Sequence, residues 1–216
     1  VYHALNNFCA VDLSALYFDI VKDRLYCGGR ASLERRSTQT VMYETLRALT
    51  VLVAPVLSFT AEEIWASIPG PERPPSVFLA DFPQPDAAFV DTALARDWER
   101  ILEVRAAVTK TLEALRQRGE VGHSLEARVV LGTDGPLAQI LESRRALLAE
   151  IFIVSQVELR RREVSGDSLI AGLEISAERA AGEKCARCWT WRPDVGADAR
   201  VPSVCGRCAR VLAAAD

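Results

Sequence analysis

Cys185, Cys188, Cys205 and Cys208 form two Cys-x-x-Cys pairs separated by 16 residues. Each pair can close as a tight turn with converging sulfurs, and two such turns supply the tetrahedral four-thiolate shell that zinc accepts. Two matched pairs favour zinc over a chance meeting of buried cysteines or a redox Cys-x-x-Cys. Four protein ligands leave no position for substrate or activated water, so the spacing predicts one structural ion rather than a catalytic one. Residues 183–216 lack a clear apolar periodicity, and the metal is expected to hold this tail folded. Cys9 and Cys27 have no partner at ligand spacing; Cys9 is expected in a helical core and Cys27 at a helix end. No secretory signal is expected in the opening residues, which is consistent with reduced thiols.

Trp189 follows the first pair directly and Trp191 lies two residues on, with Arg187 and Arg192 beside them. Rings of this kind stack on unpaired bases while guanidinium groups hold phosphate; alternatively, one ring roofs the metal. Trp189 stays open between these roles, and Trp191 is expected to be the more exposed. A second group, Lys22, Arg24, Tyr26, Arg35 and Arg36, surrounds the turn at Gly28-Gly29 and reads either as solvated helix ends or as an RNA contact. His3 and His123 have no nucleophile or ligand neighbours, no glycine-rich phosphate loop follows a strand, and Arg160-Arg161-Arg162 reads as a solvated strand end.

The net charge of −3 excludes a broad cationic face that binds nucleic acid by charge alone. Residues 184–210 nevertheless hold 6 basic and 2 acidic side chains, a local +4 that a zinc tetrathiolate of net −2 would lower to +2. Half the residues are hydrophobic and a quarter are charged, as in a chain that buries a core. No stretch is expected to span a membrane, since the richest, Leu46 to Phe59, carries Arg47 and Pro55.

These residues need elements to position them. Leu5, Phe8, Cys9, Leu13, Leu16, Ile20 and Leu25 share a helical spacing that Gly28-Gly29 stops. A second helix is expected from a Ser32 cap to Pro55, and a short third after a Thr60 cap, ending at Ile68. Six prolines between Pro69 and Pro85 mark a crossing strap around an extended Val77-Phe78-Leu79. A long helix over 92–118 is expected to lie along the first bundle, so that the helical domain covers 1–120. Strands at Ala127–Leu131, Ile151–Leu159 and Leu169–Ser176, with a helix at Pro136–Ala149, predict a small α/β subdomain over 121–182. The zinc module occupies 183–216. The fold class is therefore mainly α: a helical bundle, then a small α/β subdomain and a four-cysteine module.

Phe8-Cys-Ala-Val-Asp-Leu-Ser-Ala-Leu-Tyr-Phe-Asp-Ile-Val-Lys-Asp-Arg-Leu-Tyr26, Arg35-Arg-Ser-Thr-Gln-Thr-Val-Met-Tyr-Glu-Thr-Leu46 and Ala54-Pro-Val-Leu-Ser-Phe-Thr-Ala-Glu-Glu-Ile-Trp65 closely resemble the anticodon-binding helical domain of isoleucyl-tRNA synthetases. Ser76 to Pro83, Gly122 to Ala127 and Cys185 to Trp189 with the second cysteine pair resemble the same family in the same order. The zinc-bearing tail favours the isoleucine enzyme over its valine relative. The resemblance implies that the helical domain and the tail embrace the anticodon stem and loop of isoleucine tRNA. It assigns that contact to Lys22, Arg24, Tyr26, Arg35 and Arg36 and to Arg187, Trp189, Trp191 and Arg192. Neither His-Ile-Gly-His nor Lys-Met-Ser-Lys-Ser occurs, so ATP, Mg and the ligase chemistry are expected in a catalytic domain of the same polypeptide, and this part is non-catalytic. A monomeric cytoplasmic protein is implied. The rival reading is a protein-interaction scaffold with a zinc knuckle and no RNA binding.

Overall fold

The computed structural model describes residues 2–70, 73–164 and 169–214; Pro71, counted in the strap, lies outside them. The chain divides into two compact units, Val1–Val90 and Asp91–Asp216.

In the first unit, α1 (Tyr2–Asn7) runs through a π-helical segment, Phe8–Tyr17, into α2 (Phe18–Cys27). The N–H of Phe18 donates to Leu13 O, five residues back, and the Ser14 hydroxyl donates to Cys9 O at 2.7 Å. A π-turn holds more residues than an α-turn, so the apolar stripe drifts around the axis. Leu13 and Leu16 are half-buried, Phe8 and Phe18 face outward, and Cys9 is half-buried rather than core. Cys27 is the buried last residue of α2. The chain then turns at Gly28, where a Cβ would lie 2.4 Å from Arg24 O; close approach, not left-handed backbone, requires glycine there.

The helix expected from Ser32 forms as α3 (Leu33–Val53), and the Ser32 hydroxyl accepts the Arg35 N–H at 3.3 Å. Thr60 does not cap the next helix: α4 (Ser58–Ser67) begins a turn earlier, and Thr60 lies inside it. Val51, Ala54, Ala61, Trp65, Ile68 and Val77 form the core of this unit. The strap is tied down by polar contacts. The Arg73 guanidinium donates to the final carbonyls of α4, Trp65 Nε1 donates to Pro74 O at 2.9 Å, and Glu62 accepts from Ser76 and from the Val77 N–H. Val77 to Leu79 forms a 3-10 turn rather than an extended segment, which sends Val77 inward and leaves Phe78 and Leu79 exposed.

Tyr2 to Cys27, rather than the run Leu46 to Phe59, is among the described residues the one helical stretch long and apolar enough, by length and composition alone, to cross a membrane. It carries Asp12 and Asp19, and an acidic side chain near a bilayer centre costs about 2.5 to 3.5 kcal/mol.

In the second unit, Asp91 caps α5 (Thr92–Gln117), accepting the Leu94 N–H at 2.9 Å. Strand β1 (Ala127–Thr133) pairs in parallel with β2 (Gln156–Arg161) and antiparallel with β3 (Leu173–Arg179). The single helix expected over 136–149 is two, α6 (Gly135–Ser143) and α7 (Arg145–Phe152), broken at Arg144. Ile151 and Phe152, expected in a strand, finish α7, because Ile153 adopts left-handed backbone at φ 56° and redirects the chain into β2. The buried face of α5, Ile101, Val104, Val108 and Leu112, belongs to one core with Val129, Leu131, Leu141, Leu148 and Ile151. The long helix is thus a core element of the α/β unit, and the compact division falls at 90/91 where the sequence suggests 120.

Replacing the fully buried Ile101 with Ala is expected to destabilise by about 2 to 5 kcal/mol, the usual loss for an aliphatic core side chain. Hydrogen exchange should then quicken across β1 and α7 while α3 keeps its protection; the reverse pattern would place α5 in the other core.

Candidate metal centre and nucleic-acid interface

The tail starts from a short hairpin, β4 (Glu183–Lys184) paired with β5 (Trp191–Arg192). Gly182 enters it at φ 95°, with Arg192 so close that a Cβ would lie 2.3 Å from its carbonyl carbon; only glycine fits. Between the strands the first Cys-x-x-Cys closes as a knuckle, with the Trp189 N–H donating to Cys185 O at 2.9 Å. The second pair opens α8 (Gly206–Ala213), with Cys205 as its first flanking residue and Cys208 in its first turn.

The four sulfurs lie within 4.8 Å of one another, and all four cysteines are buried. Zinc bonded to sulfur at about 2.3 Å places its thiolates just under 4 Å apart. Cys188 Sγ and Cys205 Sγ are 3.9 Å apart, so the donor set fits such an ion with little movement. Burial pushes the Cys185 thiol up, but the N–H groups of Cys188, Cys205 and Arg187 outweigh it and bring the group to about 6. Burial raises Cys205 and Cys208. Asp194 links the two knuckles: Oδ2 accepts the Gly206 N–H at 3.1 Å, and Oδ1 pairs with Arg192 Nε at 3.4 Å. Sequence reasoning missed Asp194; its signal is an acidic side chain placed to meet the open N-terminus of α8.

The aromatic and basic residues of the tail do not share one face. Trp189 is 60% exposed and sits in left-handed backbone at φ 65°, with Lys184 Nζ 5.6 Å from its ring centroid. A bulky residue tolerates that conformation only when its surroundings impose it, here the cysteine knuckle. Trp191, expected to be the more exposed, is half-buried beneath the Arg179 guanidinium, 4.9 Å from the ring centroid. Its Nε1 is buried without a hydrogen-bond partner among the described residues. Arg187 Nη1 lies 3.8 Å from Cys208 Sγ, and Arg192 is committed to Asp194.

The other group gathers where α2 meets α3. Tyr26 is 74% exposed and Arg36 is exposed, whereas Arg24 and Arg35 are half-buried. Lys22 is exposed and pairs with Asp19 at 2.5 Å, a bond that raises its pKa. Arg160 and Arg162 pair with Glu158 and Glu174 on an open sheet face, as a solvated strand end does.

The first unit carries exposed aromatic and basic residues at the α2 to α3 turn, and the second ends in a four-cysteine module with an outward tryptophan. Residues 1–131 match the anticodon-binding domain of tRNA ligase, and the chain belongs to that family. Residues 182–211 match the zinc finger found in FPG and IleRS. Across 98% of its length the chain is similar to isoleucine-tRNA ligases: 47% identical to that of Carboxydothermus hydrogenoformans and 48% to that of Syntrophotalea carbinolica, and it spans 23% of the length of each. It is also 48% identical to that of Moorella thermoacetica, spanning 24% of its length.

One equivalent of zinc per chain is the expected result of elemental analysis. Cys205→Ser should weaken metal retention, and chelation should unprotect residues 183–212 while α3 and α5 stay folded. Full zinc and an unchanged tail in that variant would remove the four-thiolate assignment.

Proposed function

We propose that the chain is the tRNA-recognising part of an isoleucine-tRNA ligase, and that it binds the anticodon stem-loop of isoleucine tRNA while ATP, Mg and aminoacyl transfer belong to the rest of that polypeptide. The supporting observation is the pairing, in one chain, of the anticodon-binding family with a four-cysteine module that keeps Trp189 exposed. Trp189 stacks on an unpaired anticodon base, and the local charge anchors nearby phosphates. Lys22, Arg24, Tyr26, Arg35 and Arg36 hold backbone phosphates and sugar at the α2 to α3 turn; Arg187, Trp191 and Arg192, near Trp189 in the same module, add to its contact with the RNA. The ion is one structural zinc. Tyr2 to Cys27 reads as a helix of the anticodon-binding family, whose match covers it, and the whole protein as a monomer of the cytoplasm.

Trp189→Ala should cost about 1 to 3 kcal/mol in binding an isoleucine anticodon stem-loop, without loss of zinc. Lys22→Ala or Arg24→Ala should weaken all tRNAs nearly equally and reduce the salt dependence by roughly one log unit per log of salt. Fluorescence anisotropy at two salt concentrations reads both effects. Equal binding of a stem-loop with a replaced anticodon would refute the anticodon-reading role.

No isoleucine-dependent exchange of pyrophosphate into ATP is expected from this chain. Exchange in a preparation free of host synthetase would reveal an active site here.

A further inference from the structure

Three segments distant in sequence meet where the zinc hairpin joins the sheet, and two side chains hold them together. Ser155 is buried, at 8% exposure, in the turn between Ile153 and β2. Its hydroxyl donates to Leu125 O and accepts the Trp191 N–H at 2.6 Å. Gln156 opens β2 and behaves like a short piece of extra strand. Its Oε1 accepts the Ala181 N–H at 3.3 Å, and its Nε2 donates to Ala181 O at 2.9 Å and Trp191 O at 3.4 Å. Two backbone groups of the tail, at Trp191, and two at Ala181 just before it are therefore satisfied by the Ser155 and Gln156 side chains.

The hairpin forms its own two-stranded ladder, β4 with β5, separate from the three-stranded sheet, so backbone pairing between the two sheets does not set their mutual angle. Beyond the short covalent link from Ala180 to Gly182, side chains at the junction are the groups placed to do so. The Arg179 guanidinium over Trp191 closes the remaining side. We infer that Ser155 and Gln156 are positioning residues: they latch the zinc module to the sheet and thereby fix the direction in which Trp189 is presented to an RNA base. The latch stands on the hydrogen bonds alone; its consequence for RNA rests on the reading of Trp189 given above.

The test uses the zinc-loaded chain and the double variant Ser155→Ala/Gln156→Ala. In weakly aligned solution, N–H dipolar couplings of Val129 to Leu131 and of Cys185 to Trp191 fit one alignment in the unaltered chain. In the variant the module is expected to need a separate, weaker alignment, with one zinc retained and the exchange protection of β1 unchanged. Affinity for an isoleucine anticodon stem-loop should fall about tenfold, the order of loss expected for one or two hydrogen bonds. A single shared alignment in the double variant would overturn the latch. Loss of zinc would overturn it too, since it would make Ser155 and Gln156 part of the metal fold rather than its tether. Should the double variant lose protection in β1, Gln156→Glu replaces it: this variant keeps the acceptor for Ala181 N–H, removes both donations, and is judged by the same alignment. If Trp189→Ala leaves RNA affinity unchanged, the stacking role fails and the latch is decided by alignment alone.

Discussion

Four sulfurs within 4.8 Å of one another are the constraint on which the tail depends. As thiolates without a cation they would repel strongly in a buried site, and residues 183–214 have too few buried aliphatic side chains to hold them together by packing. A divalent ion held by them would convert that repulsion into the strongest cross-link in the tail. Everything else in the module is arranged around it. Asp194 joins the two knuckles, Gly182 lets the hairpin close, and Trp189 is driven into left-handed backbone because the chain must turn immediately after Cys188.

The rest of the second unit stands on ordinary burial. Helix α5 lends its apolar stripe to the same core as β1, α6 and α7, and β1 is flanked on both sides by partner strands. Its exposed end is laced by charge, with Arg128 between Glu158 and Glu178. Exposed pairs of this kind contribute little, typically under about 1 kcal/mol each, and favour register more than stability. The first unit relies on a smaller core and on polar ties, with Arg73 anchoring the strap to the C-terminal end of α4 and Glu62 to its middle.

What the sequence disclosed follows from how local each cause is. The cysteine spacing and the Ser32 cap act over a few residues, and both sites formed as read. The apolar repeat of α5 was equally plain, but a repeat says only that a face is buried, not against what. The break at Arg144, the left-handed Ile153 and the π-helical winding of 8–17 depend on neighbours that no short window contains. Trp189 and Trp191 differ for the same reason. They are two residues apart in one hairpin, and Arg179, brought in by the sheet, lies over the ring of Trp191 and not of Trp189. Ser155 and Gln156 themselves carry no spacing pattern that would single them out.

The outward-facing apolar side chains along the first helical stretch and on either side of the strap have a colloidal meaning. Phe8, Val11 and Phe18 lie on the former, and Phe59 and Phe89 are 90% and 86% exposed. Apolar surface left in water attracts more of its kind, and a net charge of only −3 offers little repulsion between molecules. Exposed apolar surface of this extent favours weak association of one copy with another.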